Sequence, residues 1–372
     1  MNIELEIKTA RLQEMLASEG LGGVLLNAQH NFAWLTGGRS NGIDLSRENG
    51  AASLFVRADG KRYILANNIE MPRMLAEEVS AHHFEPVEFS WQDEKSSADF
   101  VINIANSIAM MSSAVATDIS MHPQTRAIEG RIASCRYELT EAERTRYAIL
   151  GKDAGTAVST AITKLIPGET EIEIAAKLRR ELASHSIASV VTLVAADGRI
   201  SDFRHPVPTA NPWEKLLLLV TCAKRDGLIA SLSRIICIGE IPAELRRKTE
   251  AAAYVNAKLC EATQPDKQRS ELYQVAAQAH EEKGFTPQIN NHHQGGATGY
   301  RTRDWVAHPS SGETVQMHQA FAWNPSITGT KVEETGIVTG NGLEIITATE
   351  GFPQIETVLE GRAYYSPGIL SI

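Results

Sequence analysis

The chain carries His292-His293-Gln294-Gly295-Gly296-Ala297-Thr298-Gly299, two histidines leading into a glycine-rich run. Downstream lie Trp323-Asn324-Pro325 and Lys331-Val332-Glu333-Glu334-Thr335. Upstream are Phe203-Arg204-His205-Pro206 and Val220-Thr221-Cys222-Ala223, running to Ser231-Leu232-Ser233-Arg234. Glycines let a backbone come close to a ligand or to another strand. Histidine, glutamine and arginine supply donors and acceptors. Tyr300-Arg301-Thr302-Arg303-Asp304 follows the glycines and adds two guanidinium groups to the same region.

The surrounding periodicity is that of a mixed α/β protein. Leu5 to Ala17 reads as an amphipathic helix, and Gly23-Val24-Leu25-Leu26 as a buried strand. Ala52–Val56 and Arg62–Leu65 form a hairpin turned by Asp59-Gly60. Helices follow over Met71–Val79 and Asp99–Ile108, then a strand at Ala114-Val115-Ala116. This first α/β domain is placed at residues 1–135, and the remainder at 136–372.

In the second part Thr140 and Glu143 make a capping box for a helix reaching Lys164. Thr170 and Glu173 cap another, with Ile172, Ala175, Leu178 and Leu182 assigned to its buried face, and the strand Val190–Ala195 follows. The order recurs: a helix over Ala243–Ala262, a break at Pro265-Asp266, and a helix over Ser270–Glu282. A repeat of roughly 100 residues is too long for a solenoid and implies two similar halves around one cleft.

Composition excludes several classes. With 372 residues, two domains are expected. The formal net charge of −9, with acids and bases interspersed, argues against nucleic acid as partner. The apolar run Leu216–Val220 is too short to span a bilayer. The acidic start lacks the pattern of a secretory signal. Cys135, Cys222, Cys237 and Cys260 show no paired spacing, as expected for a cytoplasmic protein with reduced thiols.

In order, spacing and flanking glycines, the motifs from about Thr140 onward resemble the creatinase / methionine aminopeptidase / prolidase superfamily. The resemblance implies a creatinase-like N-terminal domain, then a pita-bread α+β domain with an internal pseudo-twofold repeat. It also implies a homodimer in which Asn31 and Trp34 of one chain close the other's cleft. Metal-dependent members hold two ions about 3.5–4 Å apart with two Asp, one His and two Glu. Carried over by position, these ligands fall on Thr221, Ser231, Gly296, Asn324 and Glu333, of which Glu333 alone keeps its chemistry. No metal and no other cofactor is therefore expected. Asp226, five residues after Thr221, is an alternative ligand, but Asp226-Gly227 reads as a hairpin turn.

Creatinase also lacks the metal set and cleaves a C–N bond with His and Glu. His205 matches its acid/base position and Glu333 its second-half carboxylate, whereas Ser233 replaces a Glu before Arg234. The expectation is a metal-independent hydrolase or lyase for a small amide, guanidino or short peptide-like substrate. His205 and Glu333 would be catalytic, with Glu333 orienting His205 or binding a cationic nitrogen. His292, His293, Gln294, Arg301, Arg303, Trp323 and Asn324 would bind substrate. The alternatives are an inactive pseudo-peptidase used for binding, a metallopeptidase with unusual ligands, or a covalent mechanism through Cys222 and His205.

Overall fold

The computed structural model describes residues 2–109, 114–121, 125–310 and 312–372. The chain divides into two compact units, Met1–Arg136 and Tyr137–Ile372.

In the first unit the described strands form one sheet in the order Glu85–Phe89, Arg62–Asn67, Asn49–Arg57, Gly23–Ala28, Val115–Thr117, Arg126–Ala127. The expected hairpin is present, pairing Val56 with Arg62 and Ala52 with Ala66. The N-terminal helix runs Ile3–Glu19, capped by Asn2. The helix expected over Met71–Val79 begins as one α turn and continues as a π-helix over Met74–Glu78.

Asn31 and Trp34 are not available to a partner's cleft. Both are fully buried. Asn31 Nδ2 donates to Asp118 and Glu129, and its Oδ1 accepts from Arg136. Trp34 lies under the Lys8 ammonium. Each satisfies a buried polar or charged group inside its own unit, a role that sequence position did not reveal.

In the second unit both expected capping boxes are formed, at Thr140/Glu143 for Glu141–Ile162 and at Thr170/Glu173 for Glu171–Ser184. The latter helix is phased differently from the expectation. Ile174, Ala175, Leu178 and Leu182 are buried, and Ile172 is 54% exposed. The capped first turn fixes that phase, and Ile172 and Ile174 then point to opposite sides. The second helix pair is Ala243–Ala262 and Arg269–Glu282.

Two antiparallel-based sheets carry the site. One orders Ile369–Ser371, Leu228–Cys237, Leu216–Arg225 and Ala188–Ala196. Its two faces are both covered: Val194, Leu217, Leu219 and Ile236 pack with Ile174 and Trp213, while Leu193, Leu218, Val220 and Ile235 pack with Leu245. Burial on both sides explains the unbroken apolar run Leu216–Val220. The other sheet orders Trp305–Val306, Gly295–Thr298, Ala320–Trp323, Glu334–Thr339 and Gly342–Ile345. The sheets meet where Ser231 N–H donates to Thr335 Oγ1, which donates to Ser231 O, and Ser233 N–H donates to Glu333 O. Among the described residues, no helix is long and apolar enough to cross a membrane.

Glu129 in the first unit gives a pH test. Burial alone would raise its pKa, but hydrogen bonds and charge from His30, Arg136 and Asn31 lower it to about 2. A depressed carboxylate stabilises the fold fully above its unfolded value, and that contribution is lost as pH falls from about 4.5 to about 2. Amide protection factors in Gly23–Ala28, taken relative to the intrinsic exchange rate at each pH, should fall over that window in the native protein. In Glu129→Gln that dependence should flatten, with a loss of about 3 kcal/mol at neutral pH because buried Arg136 loses its carboxylate.

Candidate active site

Glu333 sits at the centre of the retained polar cluster and is 2% exposed. Arg303 donates to its Oε1 at 3.2 Å, and Lys331 Nζ lies 3.3 Å from Oε2. Burial pushes the Glu333 pKa up, and the two cations more than offset it, holding the carboxyl below its ordinary value. Lys331, itself 6% exposed, precedes Glu333 by two residues. The sequence reading gave it no role. Its signal was the two-residue spacing that places alternate side chains of an extended segment on one side.

His205 faces this array from the Pro-rich segment. Val194 N–H donates to Pro206 O, and Arg204 donates to Gln288 Oε1 at 2.7 Å and Thr328 Oγ1 at 2.8 Å, fixing the loop. The ring partner of His205 is His292, with Nε2 to Nε2 at 3.1 Å, rather than Glu333. The expectation that Glu333 orients His205 is corrected: its carboxylate is already held by two cations. His293 stacks on His292 with centroids 4.4 Å apart. Burial lowers all three pKa values, His292 to about 3 and His293 to about 4, and Lys331 adds to the effect on each. Arg303 depresses His205 and His293 further, while Glu333 opposes in part. The imidazoles are thus neutral at pH 7.

The other expected binding residues separate. Gln294 is buried and serves as a brace, donating to His292 O and accepting from Ser326 N–H. Arg301 is exposed, and its carbonyl accepts from Thr298 Oγ1 and Gly299 N–H. Trp323 does not line the cleft. Its Nε1 donates to Thr263 Oγ1 at 3.0 Å and its ring stacks on Phe321, because alternation along the strand turns it toward the helix Ala243–Ala262. Asn324 is buried beside it; its N–H donates to Gln294 O and its Oδ1 has no hydrogen-bond partner among the described residues.

The register of the first apolar strand also shifts by one. Cys222, not Thr221, pairs with Ser231, whose hydroxyl donates to Cys222 Sγ at 3.2 Å. Thr221 points the other way and bonds Ser189 Oγ. The turn Asp226-Gly227 has positive φ at both residues, as a two-residue hairpin requires, so Asp226 is a turn residue. Burial raises the Cys222 thiol pKa and Glu333 raises it further, so the nucleophilic thiolate is disfavoured.

Residues 148–346 match metallopeptidase family M24, and residues 8–141 match the creatinase/prolidase N-terminal domain. The chain belongs to family M24. It is 24% identical over 206 residues to an Xaa-Pro dipeptidase of Pyrococcus furiosus, covering 53% of this chain and 59% of that protein. The match thus spans less than two thirds of this relative. Its fold matches dipeptidase PepE from Mycobacterium ulcerans with a TM-score of 0.77 at 14% identity, over 99% and 98% of the two chains. It also matches the N-terminal domain of FACT complex subunit SPT16 from Cicer arietinum, with a TM-score of 0.71 at 11% identity over 93% and 97%. The creatinase-like first domain and the pita-bread second domain are thereby shown.

The residues present do not fit the two-metal centre that the family name implies. A Cβ on Gly296 would lie 2.1 Å from Trp305 O, so no side chain fits there. Cys222, Ser231 and Asn324 bring no negative charge at neutral pH, and the single carboxylate is neutralised by Lys331 and Arg303. Two further dications would meet net positive charge. Accordingly, Mn2+, which prefers carboxylate oxygen, should bind at well under one equivalent in equilibrium dialysis. Gly296→His, which restores the family's ligand type, should not raise that value. It should cost about 1–3 kcal/mol in urea unfolding through overpacking.

Proposed function

We propose that this M24 chain is a peptidase-like hydrolase acting without the family's two-metal centre. Its substrate is a small amide, guanidino or peptide-like compound whose C–N bond is cleaved. The 3.1 Å contact between two neutral imidazoles, His205 and His292, beside the Arg303–Glu333–Lys331 array carries this reading. One Nε2 donates and the other accepts in that contact, so a water entering between the rings frees the Nε2 lone pair of His205 and leaves the proton on His292. His205 takes the proton of an attacking water as oxygen bonds to the substrate carbon. The developing oxyanion is met by the guanidinium of Arg303 or the ammonium of Lys331. The same proton then passes to the leaving nitrogen as the C–N bond breaks.

Glu333 serves here as the anchor of the two cations. Two cations against one carboxylate leave one net positive charge, which favours substrates bearing a carboxylate. The relatives named Xaa-Pro dipeptidase and dipeptidase support a peptide-like substrate. The internal neutralisation of Glu333 also favours a second reading, a pseudo-peptidase that binds such a compound and does not turn it over.

A screen of dipeptides, guanidino acids and small amides in the presence of a chelator separates the two. Turnover that persists with chelator is expected. His205→Ala should then lower kcat by roughly 10²–10⁴-fold with little change in KM. Arg303→Ala should chiefly raise KM, by about 1.5–3 kcal/mol in binding. Binding without turnover across the screen would favour the pseudo-peptidase.

A further inference from the structure

The histidine rim has a geometry that the proposed proton transfer does not use up. His205, His292 and His293 offer three ligand nitrogens all within 4.8 Å of one another. The Nε2 atoms of His205 and His292 are 3.1 Å apart. Two imidazole nitrogens bound to one ion at about 2.0–2.1 Å are themselves about 2.8–3.4 Å apart at octahedral to tetrahedral angles. The observed separation therefore suits a shared ion as well as a hydrogen bond. His293 is exposed, and a side-chain rotation closes its remaining gap.

The two backbone segments are tied together before any ion arrives. Arg204, adjacent to His205, bonds Gln288 in the 3₁₀ turn Thr286–Asn290, which leads into His292. Gln294 holds His292 O from the other side. None of the three histidines occupies a position of the family's five ligands as carried over here. We propose that His205, His292 and His293 form a mononuclear site for a borderline transition metal ion, Zn2+, Ni2+ or Cu2+.

The charge around the rim restricts the choice of ion. Lys331 and Arg303 against Glu333 leave one net positive charge nearby, so hard oxygen-seeking cations gain little. Ions bound strongly by imidazole are favoured, with an anion as a further ligand. On the hydrolase reading proposed above, the ion takes the Nε2 lone pair of His205, so occupancy is an inhibited state. M24 chemistry would then be switched off, not on, by metal here.

The test uses the full chain stripped with chelator, titrated with Zn2+ by calorimetry and with Cu2+ by electron paramagnetic resonance. One equivalent of Zn2+ is expected, and nitrogen couplings in the Cu2+ spectrum from more than one imidazole. His292→Ala and His293→Ala should each weaken Zn2+ binding by roughly tenfold or more, with unfolding curves confirming that the variants fold. No Zn2+ binding, unchanged affinity in both variants, or an oxygen-only Cu2+ spectrum would overturn the site. The wild-type spectrum decides the matter even if a variant fails to fold. Zn2+ binding with no loss of turnover would overturn the inhibitory clause alone, and a failed substrate screen would leave the metal titration standing.

Discussion

A carboxylate buried at 2% exposure is costly unless its charge is answered nearby, and the second unit is arranged around answering that of Glu333. Lys331 reaches it along the chain and Arg303 from the segment after the glycine run. Its own carbonyl accepts from Ser233, and two residues on Thr335 exchanges hydrogen bonds with Ser231. Charge pairing and the seam between the sheets therefore start from one short segment. Glu334, the next residue, turns away and pairs with buried Arg234 at 2.8 Å. Burial lifts Glu334 to about 7 against the pull of Arg234, which shows how much of this segment's charge lies in a dry environment.

This arrangement changes what the cleft can do. In the two-metal arrangement that the resemblance implies, carboxylates gather dications. Here Lys331 and Arg303 provide the positive charge from within the protein, and Gly296 has given its space to the carbonyl of Trp305. What remains is a neutral imidazole group beside net positive charge, a combination suited to proton transfer on an anionic compound. The fold itself does not choose between catalysis and binding, since it is shared by a dipeptidase and by a FACT complex subunit.

Much of the fold was legible in the chain. Both capping boxes, the Asp59-Gly60 and Asp226-Gly227 turns, and the two helix pairs are local signals that the tertiary structure did not overrule. The resemblance grouped His205, His293, Arg303 and Glu333, and in the structure the charges of Arg303 and Glu333 act on both histidines; the roles of all four belong to the proposal above. Lys331 and Glu333 lie two residues apart where the strand Thr330–Lys331 gives way to Glu334–Thr339, and that spacing puts both on one side.

Other decisions belonged to contacts between distant segments. Which of Thr221 and Cys222 faces Ser231 depends on strand register, and a slip of one residue reverses every side chain. Trp323 was assigned to substrate, and Asn31 and Trp34 to a partner's cleft through the resemblance, yet each found its partner inside its own unit. The pairing of His205 with His292 spans 87 residues of sequence and was set by Arg204 reaching Gln288. Sequence alone determined most of the helices, strands and turns, because caps, turn residues and side-chain periodicity are local. Only the tertiary structure decided which groups share the cleft, because register, burial and charge compensation exist only between segments already packed together.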